Sequence, residues 1–120
     1  MPTPEISIVI PVYNSSSILP ELSGRISAAL STLPHEVIFV NDCSGDNSWE
    51  TLQSLIASCP NYTAIDLVKN SGQDNAILAG LRHIKSNYAV IMDDDLQHAP
   101  EDIPALYEKC KEGYDVCYAL

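Results

Sequence analysis

The chain has 120 residues, 46% of them hydrophobic and 18% charged, with 16 acidic side chains against 6 basic ones and a formal net charge of −10. That length holds one domain around one continuous core, and that composition describes a globular chain rather than a disordered one. So acidic a balance argues against a nucleic-acid partner, whose phosphates need Lys and Arg, and is compatible with recruitment of a divalent cation.

In chain order, Glu5 to Val12 is a short β-branched run, the signature of a strand buried on both faces. Asn14 and the serines at 15–17 offer N-caps for a helix through Leu30, with Ile18, Leu22, Ile26 and Leu30 every four residues. Glu36 to Val40 reads as a second buried strand ending at Asn41-Asp42. Asp46 or Asn47 then caps a second helix, with Leu52, Leu55 and Ile56 as its apolar stripe. Tyr62 to Val68 reads as a third strand. The third helix is expected from Gln73 to Lys85, with Ile77, Leu78 and Leu81 inward. Tyr88 to Met92 is a fourth strand, cut off by a burst of aspartates. Glu101 to Lys111 is a fourth helix, stopped by Gly113 at the C′ position that favours glycine, and Tyr114 to Leu120 reads as a fifth strand.

This alternation predicts an α/β fold, with a mostly parallel sheet, right-handed crossovers and helices on both faces. In such sheets ligands bind outside the carboxyl ends of the strands. Four polar clusters fall at those ends: Tyr13-Asn14, Asn41-Asp42, Lys69-Asn70 and Asp93-Asp94-Asp95. The four cysteines, Cys43, Cys59, Cys110 and Cys117, show neither a CxxC pair nor zinc spacing, and read as reduced thiols of a cytosolic protein. Met1 to Glu5 lacks the features of a signal peptide, and no apolar run approaches the roughly 20 residues of a membrane span.

The strongest motif is Met92 to Gln97, where a hydrophobic strand delivers three carboxylates and an amide into one turn. Like charges so close repel unless a cation compensates them. Mg²⁺ or Mn²⁺, held by one or two carboxylates while substrate phosphates complete its octahedron, is the economical explanation. Capping of the next helix accounts for one aspartate but hardly three. Asp42 can accept the imide N–H of a uracil or a ribose hydroxyl, or can form an Asx turn, and spacing does not decide between them. Pro11, Tyr13 and Asn14 offer an aromatic ring and an amide against which a base could stack. Gly72 opens the third helix, where an anion could approach free N–H groups, or where a plain turn and cap would need the same glycine. His35, His83 and His98 are dispersed, and only His98 lies near the aspartates.

Taken together, Ile8 to Asn14, Val40 to Ser44 with Asp46 and Ser48, Asn70-Ser71-Gly72, and Asp93-Asp94-Asp95 resemble the family 2 glycosyltransferases with the Rossmann-like GT-A fold. The segments Gly72 to Gly80 and Asp95 to Glu101 resemble the polyprenyl-phosphate branch of that family. That branch includes dolichol-phosphate mannose synthases, undecaprenyl-phosphate glucosyltransferases and the aminoarabinose transferases of lipid A modification. The resemblance implies inverting transfer from a UDP- or GDP-linked sugar to a lipid phosphate, at the cytoplasmic face of a membrane. It implies that Pro11 and Tyr13 border the nucleobase and that Asp42 hydrogen-bonds it. Asp93 would contact the ribose or the metal, and Asp95 would bind the metal with Gln97 as a second ligand. Asp94 holds the variable middle of the D-x-D pattern and takes a lesser part in nucleotide-sugar binding.

Two residues depart from the pattern: Ser15 replaces an acidic residue and Cys43 replaces a glycine. Family members also continue beyond this length with an acceptor-binding segment. Residues 1–120 are therefore expected to be the nucleotide-sugar-binding part of one domain, truncated on its C-terminal side. An open sheet left that way would favour self-association.

Overall fold

A computed structural model describes residues 3–97 and 99–113 of the chain. Four strands, β1 (Ile6–Val12), β2 (His35–Asn41), β3 (Tyr62–Asp66) and β4 (Ala89–Ile91), alternate with helices α1 (Leu19–Ala29), α2 (Ser48–Ser58) and α3 (Gln73–Leu81). After β4, one 3-10 turn at Pro100–Asp102 leads into α4 (Ile103–Lys111). All pairings are parallel and the strand order is β3-β2-β1-β4. The register runs Ile6 to His35 through Val12 to Asn41 between β1 and β2, and Ser7 to Ala89 through Val9 to Ile91 between β1 and β4.

Every residue of β1 is buried, as its uninterrupted apolar run requires of a strand covered on both faces. The period of two divides its side chains between layers. Ile6, Ile8, Ile10 and Val12, with Val37 and Phe39 of β2, join the larger core cluster with Leu22 and Ile26 of α1, Leu52 of α2 and Ile103 and Tyr107 of α4. On the opposite face Ile38 and Val40 meet Ala76 of α3. Among the described elements, three helices therefore cover one face and α3 the other.

The third helix departs from its expected face and length. It ends at Leu81 rather than Lys85, and Leu78, expected inward, is 49% exposed. Its buried residues are Ala76 and Gly80. A Cβ added at Gly80 would lie 2.5 Å from Cγ1 of Val9 and 3.1 Å from Cγ2 of Val40, so the helix backbone rests almost directly on the sheet. Large side chains at 77, 78 and 81 could not approach that closely, and the small-residue face wins. Gly80→Ala is expected to destabilise the chain by about 1–3 kcal/mol through overpacking, despite a gain of up to about 1 kcal/mol in helix propensity. Urea unfolding followed by circular dichroism checks this; an unchanged or raised midpoint would contradict the packing argument.

Other boundaries shift for local reasons. α1 begins at Leu19, and its N-cap residue, Ile18, has no polar side chain with which to cap it; the Asn14 amide oxygen and the Ser15 hydroxyl, expected as caps, bond instead to Gly45 and Asp94. β3 stops at Asp66, and Val68 is 97% exposed. Of the two caps expected for α2, Asn47 holds the N-cap position without a side-chain cap, and the carboxylate of Asp46, one residue before it, accepts the Ser48 N–H at 3.0 Å. Gly113 follows α4 with φ of 111°, the left-handed conformation expected of a C′ glycine. The expected fifth strand and Cys117 lie outside the described residues; Cys43, Cys59 and Cys110 are free thiols. Among the described residues, no helix is long and apolar enough to cross a membrane.

Candidate active site

Strand order reverses between β1 and β4: the chain runs outward from β1 to β3, then returns to the other side of β1. The loops leaving two adjacent strands there diverge to opposite faces and open a crevice at the carboxyl edge. A cavity of about 360 Å³ occupies this position. The end of β1 contributes Pro11, Val12 and Tyr13 to its wall, and the residue after β2 contributes Asp42. The approach to α3 contributes Asn70, Gly72 and Gln73, and the turn after β4 contributes Asp93, Asp94 and Asp95.

The β1 and β2 loops are stitched together beside the cavity. Asn14 has φ of 53°, a left-handed conformation that asparagine tolerates better than most residues. Its Oδ1 accepts the Gly45 N–H at 2.7 Å and its own N–H donates to Ser44 Oγ at 3.0 Å. Ser44 Oγ in turn donates to Asn41 Oδ1 at 2.5 Å, and Asn41 Nδ2 donates to Asp66 Oδ1 at 2.9 Å. The Ser15 N–H donates to Ser48 Oγ at 3.0 Å, and the Ser16 N–H to Asp46 Oδ2 at 3.2 Å. Hydrogen bonding, chiefly from the Ser48 hydroxyl, holds the Asp46 carboxyl below the usual carboxylate range. A depressed folded-state pKa stabilises the fold above the ordinary value, and that contribution is lost as pH falls through the depressed one.

Asp42 is buried and clasps the start of α3. Its Oδ1 accepts the Ser71 N–H at 2.7 Å and its Oδ2 accepts the Gly72 N–H at 3.1 Å. Gly72 adopts φ of 90°, which lets consecutive N–H groups face one carboxylate and which a side chain would oppose. The N–H of Gly72 is thus engaged by a carboxylate, and the turn-and-cap reading describes its backbone. An ionised carboxylate has about four lone-pair directions, so two contacts do not exhaust Asp42.

The three consecutive aspartates have three different partners. Asp93 Oδ1 accepts Gln73 Nε2 at 2.8 Å, tying the turn to α3. Asp94 Oδ2 accepts the Tyr13 N–H at 3.0 Å and also the Ser15 hydroxyl, tying the turn to the β1 loop. Among the described residues, Asp95 Oδ1 accepts the Gln97 N–H alone, at 3.1 Å within its own turn, and Asp95 is exposed. Leu96 between them takes φ of 62°.

Of the residues expected at the site, Pro11, Tyr13, Asp42, Gly72, Asp93, Asp94 and Asp95 line one cavity. Asn14 stands behind the wall as a loop tether, and Gln97 is outside the lining, where its backbone closes the Asp95 turn. Asn70, expected among the polar clusters at the strand ends but given no role of its own, is a wall residue, as is Gln73, to which sequence reasoning gave no place in the site. The signal was their place, at the same sheet edge and on either side of the glycine that starts α3. It also missed Ser15 as a partner of Asp94, for which the sequence carries no signal.

The described wall has four carboxylates and no cationic side chain. Among the described residues, no group of three or more His, Cys, Asp or Glu side chains is arranged to hold a metal ion unaided. This donor set fits a hard divalent cation that takes one or two carboxylates from the protein and the rest of its shell from phosphate and water. Asp95, with most of its acceptor capacity open, is the best-placed protein ligand and Asp93 the next.

Comparison with known proteins agrees with this architecture. The family model described as Glycosyl transferase family 2 matches residues 7–120. The undecaprenyl-phosphate 4-deoxy-4-formamido-L-arabinose transferase of Klebsiella pneumoniae (strain 342) is 42% identical over 118 residues, covering 96% of this chain and 36% of that protein. The protein of the same name from Yersinia enterocolitica is 44% identical over 115 residues, covering 93% and 35%. The chain thus spans about a third of the length of these relatives. Among solved structures, the mannosyltransferase PcManGT from Pyrobaculum calidifontis, in complex with GDP-Man and Mn²⁺, superposes with a TM-score of 0.74 at 22% identity, covering 88% of this chain and 31% of that one. TarS residues 1–349 of S. aureus, in complex with UDP-GlcNAc, gives 0.68 at 24% identity, with 88% and 31% covered. Fold, strand-end motifs and family match converge: the chain belongs to the family 2 glycosyltransferases and has their GT-A architecture.

Proposed function

We propose that this chain binds the nucleoside diphosphate portion of a sugar donor, for inverting transfer of the sugar to a polyprenyl phosphate. The observation that carries the reading is the cavity at the β1–β4 switch point, whose wall combines a tyrosine and a proline with three consecutive aspartates. Tyr13, 52% exposed beside Pro11, offers a face for a base. Asp42 is the acceptor beside it, through the lone pairs its backbone partners leave open.

A diphosphate entering a wall of four carboxylates meets repulsion of about 4 kcal/mol per pair of charges at 4 Å and an effective dielectric near 20. It binds only with a cation, and Asp95, assisted by Asp93, is assigned to Mg²⁺ or Mn²⁺. When bound, that ion offsets the charge that builds on the departing diphosphate. The chain's own residues orient the donor, Tyr13 and Asp42 at the base and Asp93 toward the ribose. A phosphate acceptor is already anionic and needs no general base from the chain to become a nucleophile. Support for the donor comes from fold neighbours seen with GDP-Man and Mn²⁺ and with UDP-GlcNAc, and support for the acceptor from relatives named for undecaprenyl phosphate. Such an acceptor places the reaction at a membrane surface, and we assign it the cytoplasmic side.

Calorimetric titration of UDP and of GDP into the chain, with and without Mn²⁺, tests this reading. Binding of one nucleotide that requires Mn²⁺ is the expected result. Failure of both to bind a chain shown to be folded would overturn it.

A further inference from the structure

We propose that Asp94 is a positioning residue that fixes the β1 loop through Ser15, rather than a residue that touches the nucleotide or the metal. The inference rests on the nucleotide-binding reading above and concerns how that site is kept in shape. Each aspartate of the turn has a separate attachment. Among the described residues, Asp93 reaches α3 and Asp95 its own turn, whereas Asp94 reaches the loop that carries Tyr13. Its Oδ2 gathers two donors from that loop, the Tyr13 N–H and the Ser15 hydroxyl. The Ser15 hydroxyl has a second acceptor within reach, the Tyr13 carbonyl at 3.1 Å, but an ionised carboxylate is the stronger one.

The consequence is mechanical. Tyr13 and Asp95, assigned above to the base and to the cation, both line the cavity, and both belong to loops rather than to the sheet. Among the described side-chain hydrogen bonds, those to Asp94 are the ones that join these two loops. Without them the β1 loop keeps its ties to the β2 loop and loses its register against the aspartate turn. Asp94 thereby sets the position of the β1 loop, and of Tyr13 on it, against the aspartate turn. Ser15 matters as the side chain short enough to donate to Asp94 while its own N–H holds Ser48.

A double-mutant cycle on nucleotide affinity tests the assignment, using Ser15→Ala, Asp94→Ala and the double variant, with UDP or GDP (whichever the unaltered chain binds) in the presence of Mn²⁺. Ser15→Ala and Asp94→Ala each weaken binding about 5- to 10-fold, and the double variant is no weaker than Asp94→Ala alone, because contacting pairs couple. Asp94→Asn keeps an acceptor oxygen and recovers affinity to within about 3-fold of the unaltered chain. Ser15→Ala without effect, or effects that multiply in the double variant, overturns the inference while leaving the nucleotide site standing. So does Asp94→Asn as weak as Asp94→Ala. An unaltered chain that binds neither nucleotide overturns the inference and the functional reading together.

Discussion

Asp95→Ala is expected to remove Mn²⁺-dependent nucleotide binding by this chain, and to lower transfer by a protein carrying it about 100- to 1000-fold, the scale of losing one stabiliser of developing charge. Folding should hardly respond. Asp95 is exposed and, among the described residues, its carboxylate makes one hydrogen bond, within its own turn, so the unfolding midpoint should correspond to a loss below about 1 kcal/mol. The separation of the two effects is the informative part. Calorimetry gives the first and urea unfolding the second. Substantial residual turnover at saturating metal would remove Asp95 from the metal site, and Asp93 would be the next residue to examine.

Asp42→Ala is expected to do the reverse in part. The substitution leaves the N–H groups of Ser71 and Gly72 facing a void at a partly buried position, at a cost of about 2–4 kcal/mol. Nucleotide affinity falls as well, because α3 supplies Gly72 and Gln73 to the cavity wall. Asp42→Asn separates scaffold from contact. It keeps one acceptor oxygen, turns an NH₂ toward the second N–H, and should lose about half the stability that alanine loses. Urea unfolding of both variants beside nucleotide titration decides the matter. Unchanged stability with abolished binding would make Asp42 purely a nucleotide contact, whereas parallel losses would make it first a clasp for α3.

The strands were legible wherever burial on both faces wrote an unbroken apolar run, as in β1 and β2. The convergence of their ends followed from the alternation of elements alone. Seven expected site residues meet in one cavity because strand ends in a parallel sheet are forced to one edge. The face of α3 was not legible, since a helix that must lie close to a sheet buries its smallest residues, and Ala76 and Gly80 give no hydrophobic stripe. Asp42 and Asp94 were legible as acids at strand ends but not as clasps. Their partners are backbone N–H groups of distant loops, joined for Asp94 by the Ser15 hydroxyl, and only the fold brings them together. Asn14 could have been read further: an asparagine after a strand, followed by serines, suits a left-handed turn as well as a helix cap.

The unequal covering of the sheet sets an order of opening. Three helices and the larger cluster bind β1 and β2 on one side, so amides at the centre of the sheet exchange only when the whole chain unfolds. α3 contributes one fully buried apolar side chain, Ala76, together with a glycine, to the layer it covers. It is held instead by the close approach of its backbone at Gly80 and by the Asp42 clasp at its start, and its first residue, Gln73, lines the cavity. A donor that bridges Gln73 and the aspartates would therefore add a second tie at the start of that helix, and part of the binding free energy would go into holding the thinly covered face closed.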